Sequence, residues 1–387
     1  MQTDILQNVS NYSILVSLDV VGSLLDSINY MGGNMKIKLA VLEKDASYLN
    51  RFINVFSTKY AEKMEVYSFT DKDVAVTALD SNRIDVFIAS DFFEIDVNEI
   101  PKRCSFAYFV DSPNVEMLND QPAICKFQKI DLIYKQILNL YSENAGNISN
   151  LHMNNDACKI IAFGSPAGGT GSSTMAAACA IHFAMQGRKT LYLNLEKFGY
   201  ADEFFNAEGQ FDMSDIIFAL KSKKTNLSMK LESCVKQDVN GVFFYSKSKN
   251  ALDMLELNAS EIVHMLTQLK ILGMYEYVIL DMDFGLDRET MEIYKQAHEI
   301  VWVSDGSPIS NDKLIRAYQA LATMEMSAEN PLIRRTSVMY NRFHKDKGQI
   351  LQDVDMNMLG GAPCIRYDAV GQLLNELAKS TIFDKLF

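Results

Sequence analysis

A strand, a glycine-rich turn and a helix follow one another without a break in Lys159–Thr174 (KIIAFGSPAGGTGSST), and few folds accommodate that run. KIIAF reads as a buried strand, and a helix opens at Ser173. Gly168, Gly169 and Gly171 let the backbone curl so that successive N–H groups point inward, and the helix N-terminus adds the positive end of its dipole. This is the geometry that binds polyphosphate. Thr170 and Ser172 complete the loop, Ser173 sits where a hydroxyl can ligate Mg²⁺, and Thr174 can bond an α-phosphate oxygen. The competing reading is a glycine-rich β–α turn with no ligand. A second feature favours the ligand: Tyr277–Asp281 (YVILD) is an apolar strand ending in an acid, as an Mg²⁺-positioning carboxylate should. Taken alone, Asp281 reads equally well as a strand-end cap.

Around this run the chain alternates strands and helices. In the second half, strands are expected at 159–163, 190–194, 241–245, 277–281, 300–303 and 337–340. Helices are expected at 173–186, 213–221, 259–272 and 311–323. In the first half, KIKLAVL (36–42), 64–69, VFIA (86–89), FAYFV (106–110) and 123–127 read as strands, with helices at 46–61, around 74–79 and near 132–141. Five strands alternating with helices in so short a segment imply a doubly wound parallel sheet. The stretch 142–156 (SENAGNISNLHMNND) is rich in Asn, Ser and Gly and reads as a linker. The expected organisation is an extension (1–34), a flavodoxin-like, receiver-like domain (35–142), a linker (143–156) and a phosphate-loop α/β domain (157–387).

Of the 387 residues, 48% are apolar and 22% charged, which is ordinary globular composition, and the formal charge of −12 disfavours non-specific nucleic-acid binding. Lys221-Ser222-Lys223-Lys224 is a small basic patch of the kind found on solvated loops. Six cysteines without a C-x-x-C pair, and five histidines without a close cluster, argue against zinc and for a reducing compartment. No apolar run approaches the roughly 18–20 residues of a membrane span, and the first 35 residues lack the basic start of a secretory signal. The expected location is the cytoplasm. Leu373–Phe387 is apolar on one side with balanced charge, so it reads as a core-docked helix and only secondarily as a membrane-binding one.

The loop AGGTGSST resembles the deviant Walker A motif (K-G-G-x-G-K-[ST]-T) of the MinD/ParA superfamily. Thr190–Glu196 (TLYLNLE) resembles its second-strand acidic motif, and Tyr277–Leu286 (YVILDMDFGL) its Walker B and switch II. Ser337–Phe343 (SVMYNRF) with Ile365–Asp368 (IRYD) resembles its base-binding strand and loop. A receiver-like domain ahead of such a module is similar to the CpaE/TadZ group of Flp (Tad) pilus assembly proteins. The resemblance implies ATP and Mg²⁺ as ligands, with Ser173 and Asp281 on the metal. Asn341 and Arg342 would lie at the base, Asn341 with its amide on the adenine edge, and Ile365, Arg366 and Tyr367 would pass over it. It further implies pilus or secretion-machinery partners such as a secretion ATPase, a homodimer, and an address at the cell pole or peripheral to the membrane through partners. Three departures matter. Ala167 replaces the signature lysine, Ser172 replaces the in-loop lysine, and Asn194 stands where an aspartate usually helps orient the attacking water. The expectation is ATP binding with little or no hydrolysis. An active partition-type ATPase and a phosphorylation-controlled regulator are the rivals.

For the receiver-like half, Glu43-Lys44-Asp45 places a lysine inside the acidic site. The best register puts Ser90 at the phosphoacceptor, a slip of one residue would put Asp91 there, and Lys126 stands at the lysine position. That arrangement suits a protein-binding scaffold.

Overall fold

The computed structural model describes residues 36–144, 158–222, 225–326, 331–344, 348–352 and 354–386. The expected extension, the linker from residue 145 onward, and Lys223 and Lys224 of the basic patch lie outside the described residues. The chain forms two compact units that divide between Gln128 and Lys129.

The first unit is built on strands β1 (Ile37–Leu42), β2 (Met64–Phe69), β3 (Val86–Ser90), β4 (Ser105–Val110), β5 (Met117–Leu118) and β6 (Gln121–Cys125). Their order is β2-β1-β3-β4-β6-β5, parallel except for the β5–β6 hairpin. Strands β3 and β4 are buried at every position, which is why they read as unbroken apolar runs rather than alternating ones. Helix α1 (Ala46–Lys59) is capped by Asp45, whose carboxylate accepts the Ser47 and Tyr48 N–H groups. Helix α2 (Lys72–Ser81) is capped by Asp71 in the same way. Two of the crossovers carry no α-helix. After β3 there is only a 3-10 turn (Val97–Glu99), and after β4 the chain makes a hairpin. The hairpin turns on Asn119 and Asp120, both with positive φ (51° and 58°), residue types that tolerate the left-handed region and set a tight turn.

The second unit begins with α3 (Ile130–Asn144) and continues β7 (Lys159–Gly164), α4 (Ser172–Met185), β8 (Thr190–Asn194), α5 (Met213–Lys221), α6 (Leu227–Cys234), β9 (Lys236–Gln237) and β10 (Phe243–Phe244). Then follow α7 (Ala251–Glu256), α8 (Ala259–Leu272), β11 (Tyr277–Asp281), α9 (Arg288–Tyr294), β12 (Glu299–Ser304), α10 (Pro308–Met324), β13 (Thr336–Phe343), β14 (Asn357–Pro363) and α11 (Val370–Ala378). Helix α3 packs along α6, with Tyr134 Oη donating to Glu232 at 2.9 Å. The sheet order is β14-β13-β12-β7-β11-β8-β10-β9, parallel except for β9 at the edge. Strand β14 lies beyond the strands expected from sequence. Its Gly360-Gly361 pair breaks the apolar pattern, and Gly361 is needed because a Cβ there would come within 2.9 Å of Tyr340 Cβ.

Helix α4, which begins at the glycine loop, is buried continuously from Met175 to Phe183. A helix apolar on all sides must be covered on all sides. The sheet covers one side, and α11 with the following Thr381–Lys385 turn covers another, so the C-terminal segment is docked in the core through Leu374, Leu377, Ile382 and Phe383. Asp384 accepts from His182 Nε2 at 3.0 Å and ties that turn to α4. No helix among the described residues is long and apolar enough to cross a membrane.

Candidate functional site

The central strand β7 has β11 on one side and β12 on the other, so the glycine loop leaves the carboxyl end of the sheet where strand order reverses. Crevices at such points are where open α/β sheets hold ligands. Residues 165–171 form the loop, and α4 opens at Ser172, one residue before the expected Ser173. Gly169 (φ 77°) and Gly171 (φ 82°) occupy the left-handed region, and Gly171 is the N-cap of α4 without any side-chain cap. The first N–H groups of the helix are therefore left for a ligand. Ser165 Oγ donates its one proton to the Val303 carbonyl at 2.6 Å, with the Ala167 carbonyl as the alternative acceptor at 2.8 Å, and accepts from Ala167 N–H, fixing the loop to β12. Thr170 Oγ1 and Ser172 Oγ are buried without a hydrogen-bond partner.

Asp281 ends β11 almost wholly buried. Its Oδ2 accepts from Tyr192 Oη at 2.6 Å and from Asn194 Nδ2 at 3.0 Å, while Oδ1 has no partner. Burial, reinforced by the nearby Glu196 charge, pushes the Asp281 carboxyl up to about 7, against the hydrogen bonds from Tyr192 and Asn194. A buried carboxylate with an open oxygen favours a proton or a cation. The residues thus fit a divalent ion held by Asp281 and Ser173. No cluster of three or more metal-ligating side chains occurs among the described residues, so a hard ion here would complete its shell with phosphate oxygens and water.

Asn194 spans two acids, its Nδ2 donating to Glu196 (3.2 Å) as well as to Asp281, and its Oδ1 is unpartnered. Lys197 N–H donates to Asp283 at 2.9 Å, pinning the turn after β8 to the turn after β11. Tyr192 escaped sequence reasoning because its hydroxyl finds Asp281 only through the β8–β11 register, in which Tyr192 faces Ile279 and Asn194 faces Asp281. The signal available was a tyrosine two residues before Asn194, on the same strand face.

The structure brings Gly169, Thr170, Gly171, Asn341 and Arg342 together. Asn341 Nδ2 donates to the Thr170 carbonyl at 2.9 Å, and Arg342 Nη2 donates to the Gly169 carbonyl. Gly168 is exposed on the loop, and Thr174 lies in the first turn of α4. Ile365, Arg366 and Tyr367 follow the end of β14. Ile365 packs against the core, whereas Arg366 and Tyr367 are exposed. A cavity of about 780 Å³ opens elsewhere, between Asn311 and Asp312 of α10, Phe343 of β13 and Gln349–Leu351.

In the first unit, Glu43 is buried and its Oε2 lies 3.3 Å from Lys126 Nζ, which also pairs with Asp111 at 2.8 Å. Burial opposes the Lys126 charge, but these two acids outweigh it and raise its pKa. Glu43 and Ser90 are the residues next after the register pair Leu42 and Ala89; Ser90 is buried and Asp91 exposed. The expectation that Lys44 occupies the acidic site is corrected: its ammonium sits 3.9 Å from the centroid of the Phe92 ring, on the exposed side. A cation on an aromatic face, with its stem in water, avoids the burial the acidic site would impose. Asp45 is committed to capping α1. With Glu43 tied to Lys126, incubating the protein with a small phosphodonor and Mg²⁺ should leave its intact mass unchanged. An added phosphoryl group that disappears in Asp91→Asn would contradict this.

A parallel sheet with a glycine loop after its central strand, and a buried acid at the end of the neighbouring strand, defines the P-loop class of nucleotide-binding folds. Residues 35–142 match the TadZ-like receiver domain family. Solved structures similar to this chain include a ParA family ATPase from Chlorobium tepidum, with 20% identity over 58% of this chain and 95% of that one, at TM-score 0.44. The cell division ATPase MinD of Pyrococcus furiosus has 15% identity over 59% and 99%, at TM-score 0.45. The septum site-determining protein MinD of Pyrococcus horikoshii, complexed with Mg-ADP, has 16% identity over 57% and 94%, at TM-score 0.44. No curated protein sequence matches the chain significantly.

Proposed function

We propose that this protein is an ATP-binding scaffold of Flp (Tad) pilus assembly that holds Mg·ATP and turns it over very slowly, with the receiver-like domain as a docking surface. The observation that carries nucleotide binding is the loop itself. Two left-handed glycines and an uncapped helix N-terminus stand beside a buried carboxylate whose open oxygen calls for a cation. Ser173 and Asp281 would hold Mg²⁺, and the loop from Gly168 to Thr174 would hold the phosphates. The turn Ile365–Tyr367 would lie at the base, while Asn341 and Arg342 reach the carbonyls of Thr170 and Gly169. The pilus role rests on the receiver-domain match.

Slow turnover follows from what the loop lacks. Residues 164–174 carry no Lys or Arg, and Ala167 and Ser172 offer no charge to a transferring phosphoryl group. Losing one such electrostatic group typically costs about 3–4 kcal/mol, or about 10²–10³ in rate. Asn194 donates its Nδ2 to Glu196 and Asp281, so that nitrogen is not a base for water. Backbone N–H groups and Mg²⁺ remain for ground-state binding. With saturating Mg·ATP, phosphate release should stay far below the ~1 s⁻¹ of ordinary enzymes, with or without candidate partners such as a secretion ATPase. Release at that rate or faster would make the protein a working ATPase. In a homodimer, Ala167 could not compensate a partner's phosphates across a nucleotide sandwich, so the reading favours another interface.

A further inference from the structure

The loop has no cation of its own, yet two neighbouring residues far away in sequence reach its backbone. Arg342 donates to the carbonyl of Gly169 and Asn341 to the carbonyl of Thr170, two successive peptide groups. In a trans peptide the C=O and the following N–H point in opposite directions. Fixing these two carbonyls therefore turns the Thr170 and Gly171 N–H groups to the other side of the loop. Neither N–H has an acceptor among the described residues. The contact is close by construction. A Cβ on Gly171 would lie 2.4 Å from Asn341 Nδ2. Arg342 keeps a positive φ of 53°, uncommon for a non-glycine residue, at the end of β13 where its side chain meets the loop. The β13–β14 pairing is irregular at the same place, between Tyr340 and Phe343.

We propose that Asn341 and Arg342 form a clamp that holds the lysine-free loop in its anion-binding conformation before any ligand enters. Both are positioning residues in this role, and the proposal rests on the reading that the loop binds polyphosphate. The clamp needs a hydrogen-bond donor at position 342 rather than a charge, and it needs no base in the ligand. These two requirements separate it from an arginine that neutralises phosphate and from one that stacks on adenine.

The test compares wild type, Arg342→Ala and Arg342→Gln, with Mg·ATP and Mg²⁺-tripolyphosphate as probes in calorimetric titrations. Backbone ¹⁵N order parameters of residues 168–172 are followed in the ligand-free proteins. Arg342→Ala should bind both probes about tenfold more weakly, and Arg342→Gln should recover most of that loss. The order parameters of Thr170 and Gly171 should fall in the alanine variant while the melting temperature stays close to wild type. Glutamine as weak as alanine would mean that the charge itself acts, and the clamp would be wrong. Tripolyphosphate binding unchanged by alanine would assign Arg342 to the base and likewise overturn it. If wild type binds neither probe, the polyphosphate reading fails. The order-parameter comparison still decides the clamp, because unchanged values in Arg342→Ala exclude it.

Discussion

Gly171→Val is expected to weaken Mg·ATP binding at least about a hundredfold while leaving the two units folded. Gly171 has φ 82°, and a β-branched residue there is strained by about 1–3 kcal/mol. The new Cβ would also fall 2.4 Å from Asn341 Nδ2, so Asn341 must leave the Thr170 carbonyl or the loop must shift. Either movement redirects the N–H groups at the start of α4, where the dipole and the free donors coincide. The rest of α4 is packed on all sides, so the damage should stay local, with a melting temperature lowered by several degrees at most. Calorimetric titration with Mg·ATP, alongside far-ultraviolet circular dichroism, gives the answer. Binding within about threefold of wild type would place the nucleotide somewhere other than this loop.

Asp281→Asn should act in opposite directions on the free and liganded protein. The folded-state pKa of Asp281, about 7, lies above its ordinary 3.8, so the native protein binds the proton more tightly than the unfolded chain does. The group therefore costs no stability below about pH 4; the cost grows as pH rises toward 7 and is fully present above it. Asparagine removes the charge and keeps an acceptor for Tyr192 Oη. The ligand-free variant should consequently melt several degrees higher than wild type at pH 8, an effect on the order of 2 kcal/mol, and the difference should shrink toward pH 4. Adding Mg·ATP should raise the melting temperature of wild type and leave the variant nearly unmoved. In wild type, Mg·ATP affinity should strengthen as pH rises through about 7, because the cation competes with the proton for Asp281. A variant less stable than wild type at pH 8 would show that the hydrogen bonds from Tyr192 and Asn194 outweigh the desolvation of the charge.

What sequence made legible was local. The glycine spacing of 168–171 sets its own backbone, and β7, β8 and β11 announce themselves as apolar runs within a residue of their ends. Asp281 stood out as an acid closing such a run. What stayed hidden depends on tertiary register. Tyr192 looks like one more apolar strand residue until β8 pairs with β11 and brings its hydroxyl to Asp281. The Asn341 bond to Thr170 spans 171 positions, and no window of sequence contains both ends. Lys44 shows the opposite failure. Adjacency to Glu43 suggested a lysine in the acidic site, but a flexible side chain at the strand end had an exposed aromatic face within reach. After β4, the motif NVEMLNDQ has no apolar periodicity to mark an element, so the short strand β5 and the hairpin turn on its Asn-Asp pair were not legible.

What the loop does with bound ATP over time separates a scaffold from an enzyme. Mg·ATP should be mixed with an excess of the protein, held at 25 °C for about ten seconds, quenched in acid, and its nucleotide identified by mass spectrometry. A loop that binds through backbone donors and lacks a catalytic cation should return mostly intact ATP. Bound nucleotide recovered mainly as ADP would contradict the proposal and establish a hydrolysing enzyme whose cation comes from outside residues 164–174.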